Sequence, residues 1–118
     1  MTTVAVAIGG VLGVLARYGL GRLTTGHDGL LWTTVGINVV GSFALGLLVA
    51  GNWFSRDARE ALGVGLLGGF TTFSTFSVHV VIEVDAGRPA RALAYIAASV
   101  LGGIAAAAAG YALGRAAR

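Results

Sequence analysis

The sequence of 118 residues has no cysteine, no lysine, a single proline and only 11% charged residues. Because cysteine is absent, the chain can form neither a disulfide framework nor a thiol site. Soluble domains carry about 25% charged residues. A chain this small cannot bury a composition that is 56% hydrophobic in a core of its own. We therefore expect a membrane protein whose main surroundings are the lipid bilayer.

The few charges lie near the ends of the apolar segments or between them, and this placement excludes several functions. The net charge is +3, but the arginines form no patch, so we predict no nucleic-acid binding. No apolar segment contains an internal Asp or Glu, which a proton-coupled pump or a carrier of organic cations would need. No nucleophile, base or metal cluster lies at membrane depth, so the chain is predicted not to be an enzyme. The remaining polar groups are mostly hydrogen-bond donors and favour an anion as the permeant species.

Four apolar segments are long enough to cross a membrane. A hydrocarbon core of about 30 Å requires about 20 apolar residues in a helix. The qualifying segments cover approximately residues 3–23, 30–51, 61–82 and 90–113. Pro89 fits the first turn of the fourth helix, where its missing N–H has no helical partner to lose. We predict a single all-α domain with four transmembrane helices and short connections.

The arginines are divided equally between the two ends of these segments. With four spans, one end holds Arg17, Arg22, Arg88 and Arg91, and the other holds Arg56, Arg59, Arg115 and Arg118. The positive-inside rule orients a chain by an excess of such charges, and here there is none. Either another signal sets the orientation, or copies insert both ways up. Two opposed copies would form the inverted repeat that many transporters build within one chain.

Glycine spacing also predicts close helix packing. Gly9 with Gly13, Gly65 with Gly69, and Gly110 with Gly114 follow the small-xxx-small pattern, which lets helix backbones approach in lipid. The pattern recurs in three of the four spans. We therefore expect a compact oligomer.

Residues 68–77, GGFTTFSTFS, combine weak helix formers with many hydroxyl groups inside the third span. Gly68 and Gly69 predict a helix broken near its middle, whose freed carbonyls must be satisfied within the protein, for instance by a small cation. Phe70, Phe73 and Phe76 recur every third residue and share one side of the helix. The edge of an aromatic ring is positive, so these rings can face a small anion.

Two polar residues at membrane depth allow alternative interpretations. Asn38 could form an interhelical hydrogen bond, or its NH₂ group could face a passing anion. Arg17 could extend its guanidinium to the membrane surface, or it could stand at a pore mouth and concentrate anions. The sequence alone leaves both pairs of alternatives open.

Four stretches resemble the Fluc/CrcB family of fluoride channels. GGFTTFSTFS looks like the family signature, and GGVLGVLARY at residues 9–18 resembles its first-span motif. TTVGINVVG at residues 33–41 resembles its asparagine motif, and ALAYIAAS at residues 92–99 fits the tyrosine and serine of its fourth span. The likeness covers nearly the whole chain.

This resemblance implies a function and a set of site residues. It implies an antiparallel, dual-topology homodimer with two pores that exports fluoride passively across a prokaryotic plasma membrane. It implies that the backbone carbonyls of Gly68 and Thr71, from both copies, hold a structural Na⁺ at the dimer interface. The fluoride pathway that it implies contains Asn38, Phe73, Phe76, Ser74, Thr75, Tyr95, Ser99 and Arg17.

One position departs from the family pattern, and two other functions remain open. His79 stands where the family often has glutamate, which suggests a pH sensitivity near pH 6–7 as a hypothesis. The first alternative function is a small four-span exporter of drugs or guanidinium, but such exporters resemble a design with a glutamate in the first span, and residues 3–23 contain no acid. The second is a helper subunit that transports nothing, which predicts no flux from the purified protein.

Overall fold

A computed structural model describes residues 1–118, and all of its regular structure is helical. Thr71–Phe73 separates two of the helices and is not helical. A π-helical segment, Ala61–Leu67, joins two others. The α-helices are α1 (Thr2–Leu23), α2 (Gly26–Gly51), α3 (Arg56–Glu60), α4 (Gly68–Phe70), α5 (Ser74–Asp85) and α6 (Pro89–Ala117).

Four helical stretches are long and apolar enough to cross a membrane. They are Thr2–Leu23, Gly26–Gly51, Arg56–Asp85 and Pro89–Ala117. This confirms the predicted all-helical class with four membrane helices, and it indicates a multi-pass membrane protein. Only 19 of the 118 residues are buried, and most large apolar side chains point outward, as lipid-facing helices require.

Local signals set the ends of these helices. Asn52 ends α2 in the left-handed region with φ 56°, a conformation that asparagine tolerates. Ser55 begins α3 because its Oγ accepts a hydrogen bond from the Ala58 N–H. Pro89 stands in the first turn of α6 as predicted, after Gly87, whose φ of 77° lets the chain turn.

The glycine pairs pack helices of one chain against each other. A Cβ at Gly9 would lie 3.0 Å from the Leu66 nitrogen, so α1 runs against the π-helical segment backbone to backbone. A Cβ at Gly69 would lie 2.7 Å from the Gly10 oxygen, and one at Gly114 would lie 2.7 Å from the Leu47 oxygen. These close approaches join α1 to the third span and α2 to α6. The spacing that we expected to mark an oligomer therefore serves contacts within the chain.

The third span changes its backbone geometry twice. The π-helical segment Ala61–Leu67 was not predicted from the sequence, and such wide turns are rare outside functional regions. α4 then ends at Phe70, and Thr71 adopts an extended conformation with φ −83° and ψ 159°. Helical structure resumes at Ser74. The Thr71 N–H and the Phe73 carbonyl keep their helical partners, but the backbone polar groups of Thr72 need others.

Candidate functional site

A groove of about 350 Å³ lies where the non-helical residues of the third span face α2 and α6. The sequence separates these residues by up to two spans, and packing of α2 against α6 brings them together. Six of the ten predicted site residues line this groove: Asn38, Gly68, Thr71, Phe73, Phe76 and Ser99. They combine an amide, two hydroxyls, two aromatic rings and backbone carbonyls without any charge.

The aromatic side chains of the site form a continuous row. The ring centroids of Phe73 and Phe76 are 5.8 Å apart, and those of Phe76 and Tyr95 are 5.2 Å apart. Phe76 and Tyr95 are buried and, with Leu31, form the small core of this region. Phe73 is instead 78% exposed, so one face of the groove is open at this residue. The tilted geometry of these rings turns edges as well as faces toward their neighbours.

Ser99 lies on α6 one turn beyond Tyr95 and carries a buried hydroxyl without a partner. Its Oγ is buried and makes no hydrogen bond. An unsatisfied buried hydroxyl costs about 1–3 kcal/mol. Tyr95 is satisfied, because its hydroxyl shares a hydrogen bond of 3.2 Å with His79 Nδ1. The Ser99 hydroxyl, like the partly exposed Ser42 hydroxyl in the same groove, is therefore free to bind a ligand.

Asn38 contacts the backbone of the non-helical residues. Its Nδ2 donates a hydrogen bond of 2.9 Å to the Thr72 carbonyl, and its Oδ1 accepts one of 2.8 Å from the Thr72 N–H. This is the interhelical hydrogen bond, the first of the two alternatives stated above. An asparagine amide has two N–H donors, and one of them remains after these contacts.

Arg17, Ser74 and Thr75 lie outside this groove. The Arg17 Nε donates a hydrogen bond of 3.2 Å to the Gly69 carbonyl, so this side chain turns toward the third span. Arg17 and Thr75 line a second groove of about 330 Å³, which Thr72 separates from the first. Ser74 is exposed and, with Thr75, lines a shallower groove that leads to His79. The structure thus distributes the predicted polar residues over three grooves.

A buried carboxylate near these grooves was not predicted as part of a site. Glu83, in the last turns of α5, is 0% exposed. Its oxygens accept a hydrogen bond of 2.6 Å from His27 Nε2 and bonds of 2.7 and 3.0 Å from Arg88. The bonds between Glu83 and Arg88 raise the pKa of the Arg88 guanidinium. Arg91 lies 3.6 Å away and also pairs with Asp28. The sequence shows Glu83 near Arg88, but nothing in it indicates the contact with His27 on α2.

Sequence comparisons agree with this arrangement of a four-span membrane protein with an uncharged internal groove. The family profile described as CrcB-like protein, Camphor Resistance (CrcB), matches residues 4–111. The chain belongs to this family. It is 44% identical over 114 residues to the fluoride-specific ion channel FluC of Thermus thermophilus, covering 92% of this chain and 91% of the relative.

Two further relatives carry the same name. The FluC protein of Rhodospirillum centenum is 48% identical over 106 residues, covering 82% of each chain. The FluC protein of Novosphingobium aromaticivorans is 43% identical over 111 residues, covering 86% of each chain. These names denote ion channels and not enzymes.

Proposed function

We propose that this chain is a fluoride-selective channel of a prokaryotic plasma membrane that releases fluoride passively from the cytoplasm. The groove that joins Phe73, Phe76 and the unpartnered Ser99 hydroxyl carries the proposal. Its membership of a family whose relatives are named fluoride-specific ion channels supports it. No GxxxxGK[ST] motif for ATP occurs in the sequence, so fluoride would move down its electrochemical gradient.

Fluoride is small and strongly hydrated, so a selective path must replace its water with other donors. The Ser99 hydroxyl and the free N–H of Asn38 can supply hydrogen bonds at one level of the groove. The ring edges of Phe73 and Phe76 supply weaker positive potential without a fixed charge. On this proposal Ser74, Thr75 and Tyr95 extend the path along α5 and α6, and Arg17 concentrates anions in the second groove.

The functional unit in this proposal is an antiparallel homodimer with two pores, each lined by both copies. Phe73 is 78% exposed, and the groove beside it is open, so a second copy would complete its wall. The equal division of the arginines leaves nothing to select one orientation during insertion. Fusions of a reporter to the C-terminus should therefore be found on both sides of the membrane, whereas labelling on one side alone would contradict dual topology.

A structural Na⁺ between the two copies is also part of the proposal. Hard cations prefer oxygen ligands, and Gly68 and Thr71, whose carbonyls would supply them, both line the groove where the helix is interrupted. Neither carbonyl accepts any of the side-chain hydrogen bonds that hold this region, which are those of Asn38, Arg17 and Thr72. These two neutral carbonyls therefore suit a cation, and the site needs no acidic side chain.

Flux measurements on the purified protein test the proposed function. Liposomes that contain the protein should release fluoride much faster than chloride, and Phe76→Ile should reduce fluoride release because it removes a ring from the groove. Phe54→Ile, in the connection between α2 and α3, is the matched control and should behave as the wild type. A wild-type protein that releases no fluoride, or releases chloride equally well, would refute the proposal.

A further inference from the structure

In the third span, two backbone N–H groups do not bond to the carbonyls that would accept them in a regular helix. In an α-helix each N–H bonds to the carbonyl four residues earlier. The partner of the Thr72 N–H would then be the Gly68 carbonyl, and the partner of the Thr75 N–H would be the Thr71 carbonyl. In the structure the Thr72 N–H donates to Asn38 Oδ1 at 2.8 Å, and the Thr75 N–H donates to Thr72 Oγ1 at 3.2 Å. Side chains thus take both donors.

Four backbone carbonyls of this region differ in whether a side chain donates a hydrogen bond to them. The Gly69 carbonyl accepts a hydrogen bond from Arg17 Nε at 3.2 Å, and the Thr72 carbonyl accepts one from Asn38 Nδ2 at 2.9 Å. Side chains therefore satisfy Gly69 and Thr72, whereas Gly68 and Thr71 lose their helical donors and receive no side-chain donor. The carbonyls of Gly68 and Thr71, three residues apart, are therefore available to another ligand.

We propose that Asn38 and Thr72 are positioning residues that free the Gly68 and Thr71 carbonyls for the cation by intercepting the N–H groups of Thr72 and Thr75. This inference rests on the proposed Na⁺ site, whose ligands are the carbonyls themselves. It assigns Asn38 a role through its Oδ1 that is separate from any contact with fluoride. If either side-chain contact is lost, the freed N–H can bond to its helical acceptor, the Gly68 or the Thr71 carbonyl. That carbonyl is then no longer available to the cation.

Thr72→Val is the sharpest test because valine keeps the shape of threonine and removes only the Oγ1 acceptor. The readout is the thermal midpoint of the purified protein against Na⁺ concentration without fluoride, with N-methylglucamine as the replacement cation. A ligand that binds only the folded state stabilises it by RT ln(1 + [L]/Kd), so the midpoint begins to rise as the Na⁺ concentration passes Kd and then increases with its logarithm. We expect Thr72→Val to raise the Na⁺ concentration at which the midpoint begins to rise by about tenfold or more. Thr72→Ser, which keeps an Oγ, should restore the wild-type value.

Ser77→Ala, in the α5 part of the same span, is the matched control. Its hydroxyl donates to the Phe73 carbonyl at 2.9 Å and intercepts no N–H, so its Na⁺ dependence should equal that of the wild type. Asn38→Leu provides a second variant and should shift the Na⁺ dependence in the same direction as Thr72→Val.

The outcomes separate this inference from the proposals beneath it. A wild type that Na⁺ stabilises and a Thr72→Val protein with unchanged Na⁺ dependence would overturn the positioning role and leave the Na⁺ site intact. A wild type that Na⁺ does not stabilise would overturn both. Failure of fluoride flux would refute the channel proposal, while the Na⁺ titration, which contains no fluoride, would still decide the role of Asn38 and Thr72.

Discussion

Gly13→Ala is expected to separate α1 from the third span. A Cβ at Gly13 would stand 2.8 Å from the Phe70 nitrogen and 3.0 Å from the Leu66 carbonyl carbon, and it would also meet the Leu66 oxygen. All three atoms belong to the backbone and cannot turn aside as a side chain could. Because non-bonded atoms prefer about 3.5–4.0 Å, the helices must move apart by roughly 0.5–1 Å.

The size of the effect follows from this displacement. A gap of about 0.5–1 Å removes a quarter to a half of the attraction at each contact along the helix pair. Overpacking of this kind costs about 1–3 kcal/mol of unfolding free energy. The displacement also draws α1 away from Gly69, whose carbonyl binds Arg17, so fluoride flux should fall together with stability.

Gly19→Ala is the control, because a Cβ at this position of the same helix would meet nothing within 4 Å. Alanine favours helix over glycine by about 1 kcal/mol, so this variant should equal or exceed the wild type in stability. Unfolding by a denaturing detergent, followed through Trp32 and Trp53, compares the two variants. If Gly13→Ala proved as stable as Gly19→Ala, the close backbone approach of α1 and the third span would be wrong.

Three further predictions concern the groove and the cluster around Glu83. Ser99→Ala should leave the unfolding free energy unchanged or raise it by up to about 1–3 kcal/mol, since its Oγ has no partner, yet lower fluoride efflux; reduced stability with normal efflux would contradict this. Glu83→Gln should lower the thermal midpoint clearly more than Asp85→Asn, which changes an exposed acid on the same helix; equal midpoints would exclude a stabilising role for the buried cluster. His79→Gln should flatten the dependence of efflux between about pH 5.5 and 8, with protein-free liposomes correcting for neutral HF; an unchanged profile would rule out the pH role of His79.

The membrane helices could be predicted because their signal is local. Apolar length alone identifies four spans, and Pro89 marks the start of α6. The start of α2 was harder to predict, because it lies at Gly26, four residues before the apolar segment that begins near residue 30. Its polar first turn is held by other helices, since His27 binds Glu83 and Asp28 pairs with Arg91. Hydropathy carries no information on such contacts.

The sequence identified candidate site residues but not the contacts that those residues make. Residue type and family likeness singled out Asn38 and Ser99, and the structure places both in one groove. The partner of Asn38 is a backbone group 34 residues away, exposed only because α4 ends at Phe70. Backbone donors and acceptors occur in every residue, so sequence gives no sign of which ones a side chain will bind. The π-helical segment escaped prediction for the same reason, because it depends on how the backbone packs against α1.

The structure also narrows what the hydroxyl-rich composition means for an anion. The sequence offers many donors at membrane depth, but some of them serve the backbone: the hydroxyls of Thr34, Thr71 and Ser77 donate to carbonyls one turn earlier. Such bonds satisfy the hydroxyl and leave no proton for a passing ion. The donors that remain in the groove are the hydroxyls of Ser42, Thr72 and Ser99 and one N–H of Asn38, beside the rings of Phe73 and Phe76. The groove is open at Phe73, so these donors cannot surround a fluoride ion by themselves. A closed path requires further groups opposite the open face, and a second copy of the chain carries the same set.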